Sequence, residues 1–322
     1  MPVRLVWRTD VHMADRGPES RKDDWPKTVL DKLSQVRAVA EKVRAAAVLD
    51  GGDFFHVKSP SRNSHALVQM TAEHHADYPC PVYCTPGNHD CTYGDYAFLP
   101  QQPLGVLYST GVFKRLYDEH EAVFEQDGVR VRVVGVPYHG TKYDLDRFRR
   151  IKRGDEHHLV CVAHVLASER GGTMFEGEDI VRYSDLLDTA PDVLMFGHWH
   201  KDQGVTTLGD KTFVNLGSLT RGSLSQDEVE RQPACAVLSF MPTGRDIRVV
   251  RLKVKPADEV FDVERRQRVE SRRMEMDAFV STLRDTLTQE PSEGGVAGLL
   301  AGMAEVPEQV RERALAYLER VG

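Results

Sequence analysis

The stretch Thr85-Pro86-Gly87-Asn88-His89-Asp90 constrains this chain most, because it sets an amide, an imidazole and a carboxylate directly behind a short apolar run, Pro81-Val82-Tyr83-Cys84. A run of that length bounded by turn formers reads as a buried strand. The polar trio therefore falls on the turn where a strand ends, the edge at which open α/β sheets bind ligands. An Asn amide oxygen suits a hard cation, and the adjacent His is then available for proton transfer. Alone, the same residues would equally well be chain punctuation. The repetition of the pattern argues against that reading.

Val3 to Thr9 reads as a strand, with Asp10-Val11-His12 at its end. If the strand ran on through them, alternation would put Asp10 and His12 on one side. Thr28 to Ala46 carries Val29, Leu33, Val36, Ala40 and Val43 at helical spacing. It leads into a second strand, Ala45 to Leu49, and the turn Asp50-Gly51-Gly52-Asp53-Phe54-Phe55-His56. That β-α-β order implies a parallel, right-handed crossover, which brings Asp10 and Asp53 to the same sheet edge. A helix is expected over Ser64 to Ala76, and Cys91 to Leu107 reads as a long irregular loop. Val129 to Val136 reads as a strand that opens a second sheet. The apolar run Leu159 to Ala163 ends in His164, and Val193 to Phe196 ends in Gly197-His198-Trp199-His200. Further strands are expected at Lys211 to Leu216, Ala234 to Met241 and Ile247 to Val254. Two arginines stand where a phosphate could be met: Arg62, near the start of the Ser64 helix, and Arg221, on a Gly-Ser turn. A solvated charge is the plainer reading of Arg62, and a plain Gly-Ser turn is an equally good reading of the Arg221 stretch.

The polar residues gathered at strand ends are Asp10, His12, Asp53, Asn88, His164, His198 and His200. Two carboxylates, one amide and four imidazoles suit a pair of divalent transition metals sharing one carboxylate. Such a donor set favours manganese, iron or zinc over magnesium. Two ions about 3.5–4 Å apart clamp a phosphoryl group and convert a bridging water to hydroxide. His89 remains to protonate the leaving alkoxide.

Taken in order, D-x-H, G-D-x-x-H, G-N-H-D, a strand-end His and G-H-x-H resemble the calcineurin-like metallophosphoesterase superfamily, over roughly residues 3 to 255. The resemblance implies a four-layer αββα sandwich. By matched position, it implies that Asp10, His12, Asp53 and His200 hold one metal, and that Asp53, Asn88, His164 and His198 hold the other. Gly52-Asp53-Phe54-Phe55-His56 followed by Ser59-Pro60-Ser61, with Asn215-Leu216-Gly217-Ser218, is similar to the SbcD-type DNA repair nucleases. That branch implies manganese-dependent exonuclease and single-strand endonuclease activity, with His56 orienting the scissile phosphate and His89 assisting protonation. It also implies an SbcC-like, SMC-type ATPase partner bound through C-terminal helices. The alternative is a phosphoesterase for nucleotides or another small phosphodiester.

Residues 1–256 are expected to form the phosphoesterase domain. Residues 257–322, with Met276, Phe279, Leu283 and Leu287 at helical spacing, are expected to form a helical appendage that is a reduced cap or a docking segment. A homodimer is the other assembly considered. The formal net charge of −7 and the lack of a basic tract weigh against unaided nucleic-acid binding, so DNA contact must come from a local patch, from metal or from a partner. The five cysteines fit no zinc template, and an odd count suits a reduced cytoplasm. With no run of eighteen apolar residues and no leader-like start, a cytoplasmic protein is expected.

Overall fold

The structure is a computed structural model, and it describes residues 1–91, 95–171 and 177–262. Strand β1 (Val3–Arg8), helix α1 (Trp25–Val43), β2 (Ala47–Asp50), α2 (His65–Ala76), β3 (Val82–Cys84), α3 (Pro103–Ser109) and β4 (Phe113–Arg115) form the first half. The second half opens with the hairpin β5 (Ala122–Gln126) and β6 (Val129–Val136). It continues through α4 (Asp146–Arg149), β7 (His158–His164) and the two-residue strands β8 (Ala167–Ser168) and β9 (Val181–Arg182). Then come β10 (Val193–Gly197), β11 (Asp202–Leu208), β12 (Lys211–Leu216), α5 (Gln226–Glu230), β13 (Ala234–Met241), β14 (Gly244–Arg251) and α6 (Ala257–Val260).

Among the described residues two six-stranded sheets result, ordered β14-β13-β1-β2-β3-β4 and β11-β12-β10-β7-β6-β5. In the first, β1 to β4 run parallel; in the second, β6, β7, β10 and β12 do, with antiparallel strands completing each sheet. Central parallel strands are covered on both faces, and the side chains divide accordingly. Val3, Leu5 and Trp7 of β1 and Val160 and Val162 of β7 fill the core between the sheets. Val6 and Val48 turn outward onto α1, while Cys161, Ala163 and Phe196 turn outward onto Phe148 of α4 and Tyr183. Three apolar cores thus separate four layers, as expected, although the layer outside the second sheet is built largely of short elements.

Several local expectations change. Helix α1 begins at Trp25, because Asp24 caps it by accepting from the Lys27 N–H at 3.2 Å and a proline is tolerated in a first turn. The early start has a use: the Trp25 indole donates to the His12 carbonyl at 3.0 Å. The expected loop from Cys91 to Leu107 instead holds a 3-10 turn, Tyr96–Gln101, and helix α3, which Pro103 opens. Pro26 and Pro103, which read as breakers, sit in first turns, where no helical N–H is needed. Strand β11 was hidden by its polar, half-exposed sequence.

A compact unit spans Met1–Phe261, with Val260 and Phe261 buried in it. The helical segment expected at the C-terminus falls, beyond Asp262, outside the described residues. Among the described residues no helix is long and apolar enough to cross a membrane.

Candidate metal centre

All seven residues lie at one edge of the two sheets, but not by strand alternation. Strand β1 stops at Arg8, and Asp10 and His12 follow with φ of 51° and 53°. Asp53 (φ 50°) and His198 (φ 88°) share that left-handed backbone. For residues other than glycine each such turn costs about 1–2 kcal/mol, a strain typical of functional loops. The surroundings hold it in place. The Asp10, His12 and Met13 amides donate to the carbonyls of Gly52, Asp53 and Phe54 at 3.0, 3.0 and 2.7 Å, which zips together the loops after β1 and β2. The Asp90 carboxylate accepts from the amides of Phe54, Phe55 and Gly87 at 3.3, 3.1 and 2.9 Å, fastening the loop after β3 to the loop after β2. Gly87 has to be glycine, since a Cβ there would stand 2.1 Å from Asp53 Oδ1.

The ligand-type atoms of Asp10, His12, Asp53 and His200 lie within 4.8 Å of one another, as do those of Asp53, His164 and His198. Asp53 belongs to both groups through different oxygens. Its Oδ2 lies 3.9 Å from His12 Nε2, and its Oδ1 lies 3.5 Å from His164 Nε2. Asn88 Oδ1 joins the second group, 3.1 Å from His164 Nε2. Within the first group, His200 Nε2 is 3.6 Å from Asp10 Oδ1 and 2.9 Å from His12 Nε2. Outer contacts fix the orientations. Thr9 Oγ1 donates to Asp10 Oδ2 at 2.7 Å, and the His198 amide donates to both Asp10 oxygens at 3.1 Å. His164 Nδ1 donates to the Gly51 carbonyl at 2.7 Å, which turns Nε2 toward Asp53 and Asn88.

The electrostatics follow from burial and crowding. Burial opposes ionisation of Asp53, yet His164, His89 and His12 outweigh it and hold the carboxyl well below its usual range. Asp10 is likewise lowered to about 2 against the cost of burial, by His200 and His164. Burial disfavours the charged form of His164, but Asp53 prevails and raises it to about 9. Burial and the neighbouring His200 keep His12 well below the ordinary imidazole value. Asp90 is raised to about 7 by burial and by Asp53. Buried acids and imidazoles in alternation, with two imidazole nitrogens nearly in contact, form a donor set that a pair of divalent cations would fit.

His56 and His89 stand beside this cluster. Their rings stack at 5.1 Å, His56 Nδ1 lies 3.2 Å from His12 Nδ1, and His89 Nδ1 donates to the His56 carbonyl at 2.5 Å. The His89 amide donates to Asp53 Oδ1 at 2.7 Å. An adjacent cavity of about 340 Å³ is lined by His12, His56, His200, Trp25 and several hydroxyl-bearing residues.

The two arginines are not brought to the cluster. Arg62 is exposed on a 3-10 turn, and the N-terminus of α2 is already met by Asp15, whose carboxylate accepts from the Ser64 amide at 2.9 Å. Arg221 is buried, donating to the carbonyls of Val229 and Lys255 at 2.8 and 2.6 Å. Its guanidinium is committed to holding the fold. Sequence reasoning missed Glu178, whose carboxylate lies 2.9 Å from His198 Nε2, and gave Asp90 no role. Glu178 belongs to no recognisable block, whereas Asp90 was visible in the Asn88-His89 turn.

A family model for calcineurin-like phosphoesterases matches residues 4–202. Among solved structures, a dimetal phosphatase from Danio rerio aligns at 13% identity over 79% of this chain and 98% of that one, with a TM-score of 0.51, a likeness of fold. A Thermus thermophilus protein aligns at 13% identity over 79% of this chain and 100% of its own, with a TM-score of 0.48. A Haemophilus influenzae NAD nucleotidase aligns at 14% identity over 78% of this chain and 50% of its own, with a TM-score of 0.45. No curated protein matches the sequence.

Proposed function

The chain belongs to the calcineurin-like phosphoesterase family, and from that premise we propose that it is a two-metal phosphodiesterase acting on DNA. The observation that carries the metal part is the division of the Asp53 oxygens between two ligand clusters. Asp10, His12, Asp53 and His200 would hold one ion; Asp53, Asn88, His164 and His198 would hold the other. When bound, the ions supply Lewis-acid charge for a phosphoryl oxygen and acidity for an attacking water. Manganese is the proposed metal.

The chain's own residues do the rest. With Nδ1–H of His89 donated to the His56 carbonyl, Nε2 is the atom that can carry a proton to the leaving oxygen. With His12 Nε2 turned to the cluster, its Nδ1–H donates to His56 Nδ1, so His56 carries its hydrogen on Nε2 and offers it to a phosphate oxygen. Asp90 holds the loops that carry Asp53 and Asn88 in register. The DNA substrate is proposed from the His56 block and its stacking on His89. The proposed partner is an SbcC-like ATPase engaging residues beyond Asp262.

A second reading, a small phosphodiester or nucleotide substrate, is favoured by the net charge of −7 and by the commitment of Arg221 to backbone carbonyls. Purified protein with Mn²⁺ should be tested on labelled duplex DNA, on single-stranded DNA and on bis-p-nitrophenyl phosphate. Cleavage of all three supports the first reading. Cleavage of the small ester alone supports the second, and inactivity with metal bound would refute both.

A further inference from the structure

We infer that Glu178 is the positioning residue that decides which nitrogen His198 presents to the second cluster, an inference that rests on the two-metal reading above. Glu178 Oε1 lies 2.9 Å from His198 Nε2, and both side chains are only 9% exposed. A neutral imidazole carries one N–H, and an ionised carboxylate can only accept. The pair therefore fixes the hydrogen on Nε2 and leaves the lone pair on Nδ1. Since one His198 nitrogen lies within 4.8 Å of the Asp53 and His164 ligand atoms, the structure assigns that role to Nδ1.

Glu178 is itself held. Tyr143 donates its hydroxyl to Glu178 Oε1 at 2.6 Å, and the same hydroxyl accepts from the Leu166 amide at 3.1 Å, two residues beyond His164. The Tyr138 ring meets His198 edge to face at 5.4 Å. A carboxylate, a phenol and a backbone amide thus form a chain of donors and acceptors behind one imidazole. His164, the other imidazole of this cluster, is oriented through the opposite nitrogen and by a neutral partner, the Gly51 carbonyl at 2.7 Å. In both imidazoles the outer partner fixes the tautomer and the ring orientation, a carboxylate for His198 and a backbone carbonyl for His164. In the other cluster, His12 turns its outer nitrogen to His56 rather than to an acid.

The test uses the full chain and its Glu178→Gln and Glu178→Ala variants, with two readouts. The first is nitrogen NMR of the His198 ring in metal-free protein. Wild type should show the Nε2–H form. Glu178→Ala should lose that bias, and Glu178→Gln, whose carbonyl still accepts, should keep part of it. The second is calorimetry with Mn²⁺ alone: one of the two binding events should fall by about 10- to 100-fold in Glu178→Ala, less in Glu178→Gln, with the other changed far less. Matching far-ultraviolet dichroism and melting curves establish that the variants are folded, and the near-isosteric Gln variant serves if the Ala variant is not. An Nδ1–H tautomer in wild type, or two unchanged Mn²⁺ affinities in folded variants, would overturn the inference. If wild type takes up fewer than two Mn²⁺ while the His198 tautomer responds as described, the two-metal reading fails and the role of Glu178 in orienting His198 stands.

Discussion

Metal uptake should depend steeply on pH, and His164 sets the window. In the metal-free protein this buried imidazole is protonated up to about pH 9, held by Asp53 against the cost of burial. Only its neutral form can ligate, so each ion entering the second cluster must expel that proton. At pH 7 the displacement spans two pH units, worth about 2.7 kcal/mol or roughly a hundredfold in affinity. His200 is also raised above the usual imidazole range and adds to the trend, while Asp10 and Asp53, both lowered, are already ionised and contribute nothing there. Apparent affinity for Mn²⁺ at the second cluster should therefore rise about tenfold per unit between pH 7 and 9 and level off above. Anaerobic calorimetry at pH 7, in buffers of different ionisation enthalpy, should register about one proton released per ion at that cluster. A flat affinity across this range, with no proton release, would refute the reasoning.

The same pair makes the metal-free fold sensitive to base. The folded value of His164 is raised from 6.5, so its stabilisation is complete below about pH 6.5 and is lost as pH rises through about 9; Asp90, raised to about 7, loses stability in the same direction. Melting temperature without metal should fall over that range, and Mn²⁺ should restore it. Asp50→Ala should cost roughly 3–5 kcal/mol in urea unfolding, because it strands a buried charge: Arg8 donates to Asp50 at 2.7 Å with both side chains fully buried. The Tyr78 and His75 contacts to the same guanidinium would remain, which places the loss at the low end. His89→Ala should bind Mn²⁺ as wild type does and lose about 10²- to 10⁴-fold in turnover with poor leaving groups. Loss of metal in that variant, measured by elemental analysis, would contradict its role at the leaving oxygen.

How far the sequence could be read depended on which force made each feature. The residues that gather at the sheet edge were legible because burial makes strands apolar on both faces, so an acid or imidazole at a run's end stands out. The β-α-β order then fixed the shared edge. The means of convergence was not legible. Alternation was the available argument for Asp10 and His12, but left-handed turns at Asp10, His12, Asp53 and His198 aim these residues. Asp and His are enriched in that conformation, but the preference picks out no single position, and here it is imposed by amides and carbonyls from distant loops. Glu178 was invisible for a related reason: its partners His198 and Tyr143 are 20 and 35 residues away, and it lies in a polar stretch without periodicity. Arg221 shows the opposite error. A cation on a Gly-Ser turn suggested a phosphate, while burial and two backbone carbonyls had already claimed it.

Electron paramagnetic resonance of the protein loaded with two equivalents of Mn²⁺ tests the sharing of Asp53 most directly. Ions bridged by one carboxylate at about 3.5–4 Å are spin-coupled. The expected spectrum is therefore that of an exchange-coupled pair, and Asp53→Asn should abolish it. A plain six-line signal of isolated Mn²⁺ in the wild-type protein would contradict the shared site.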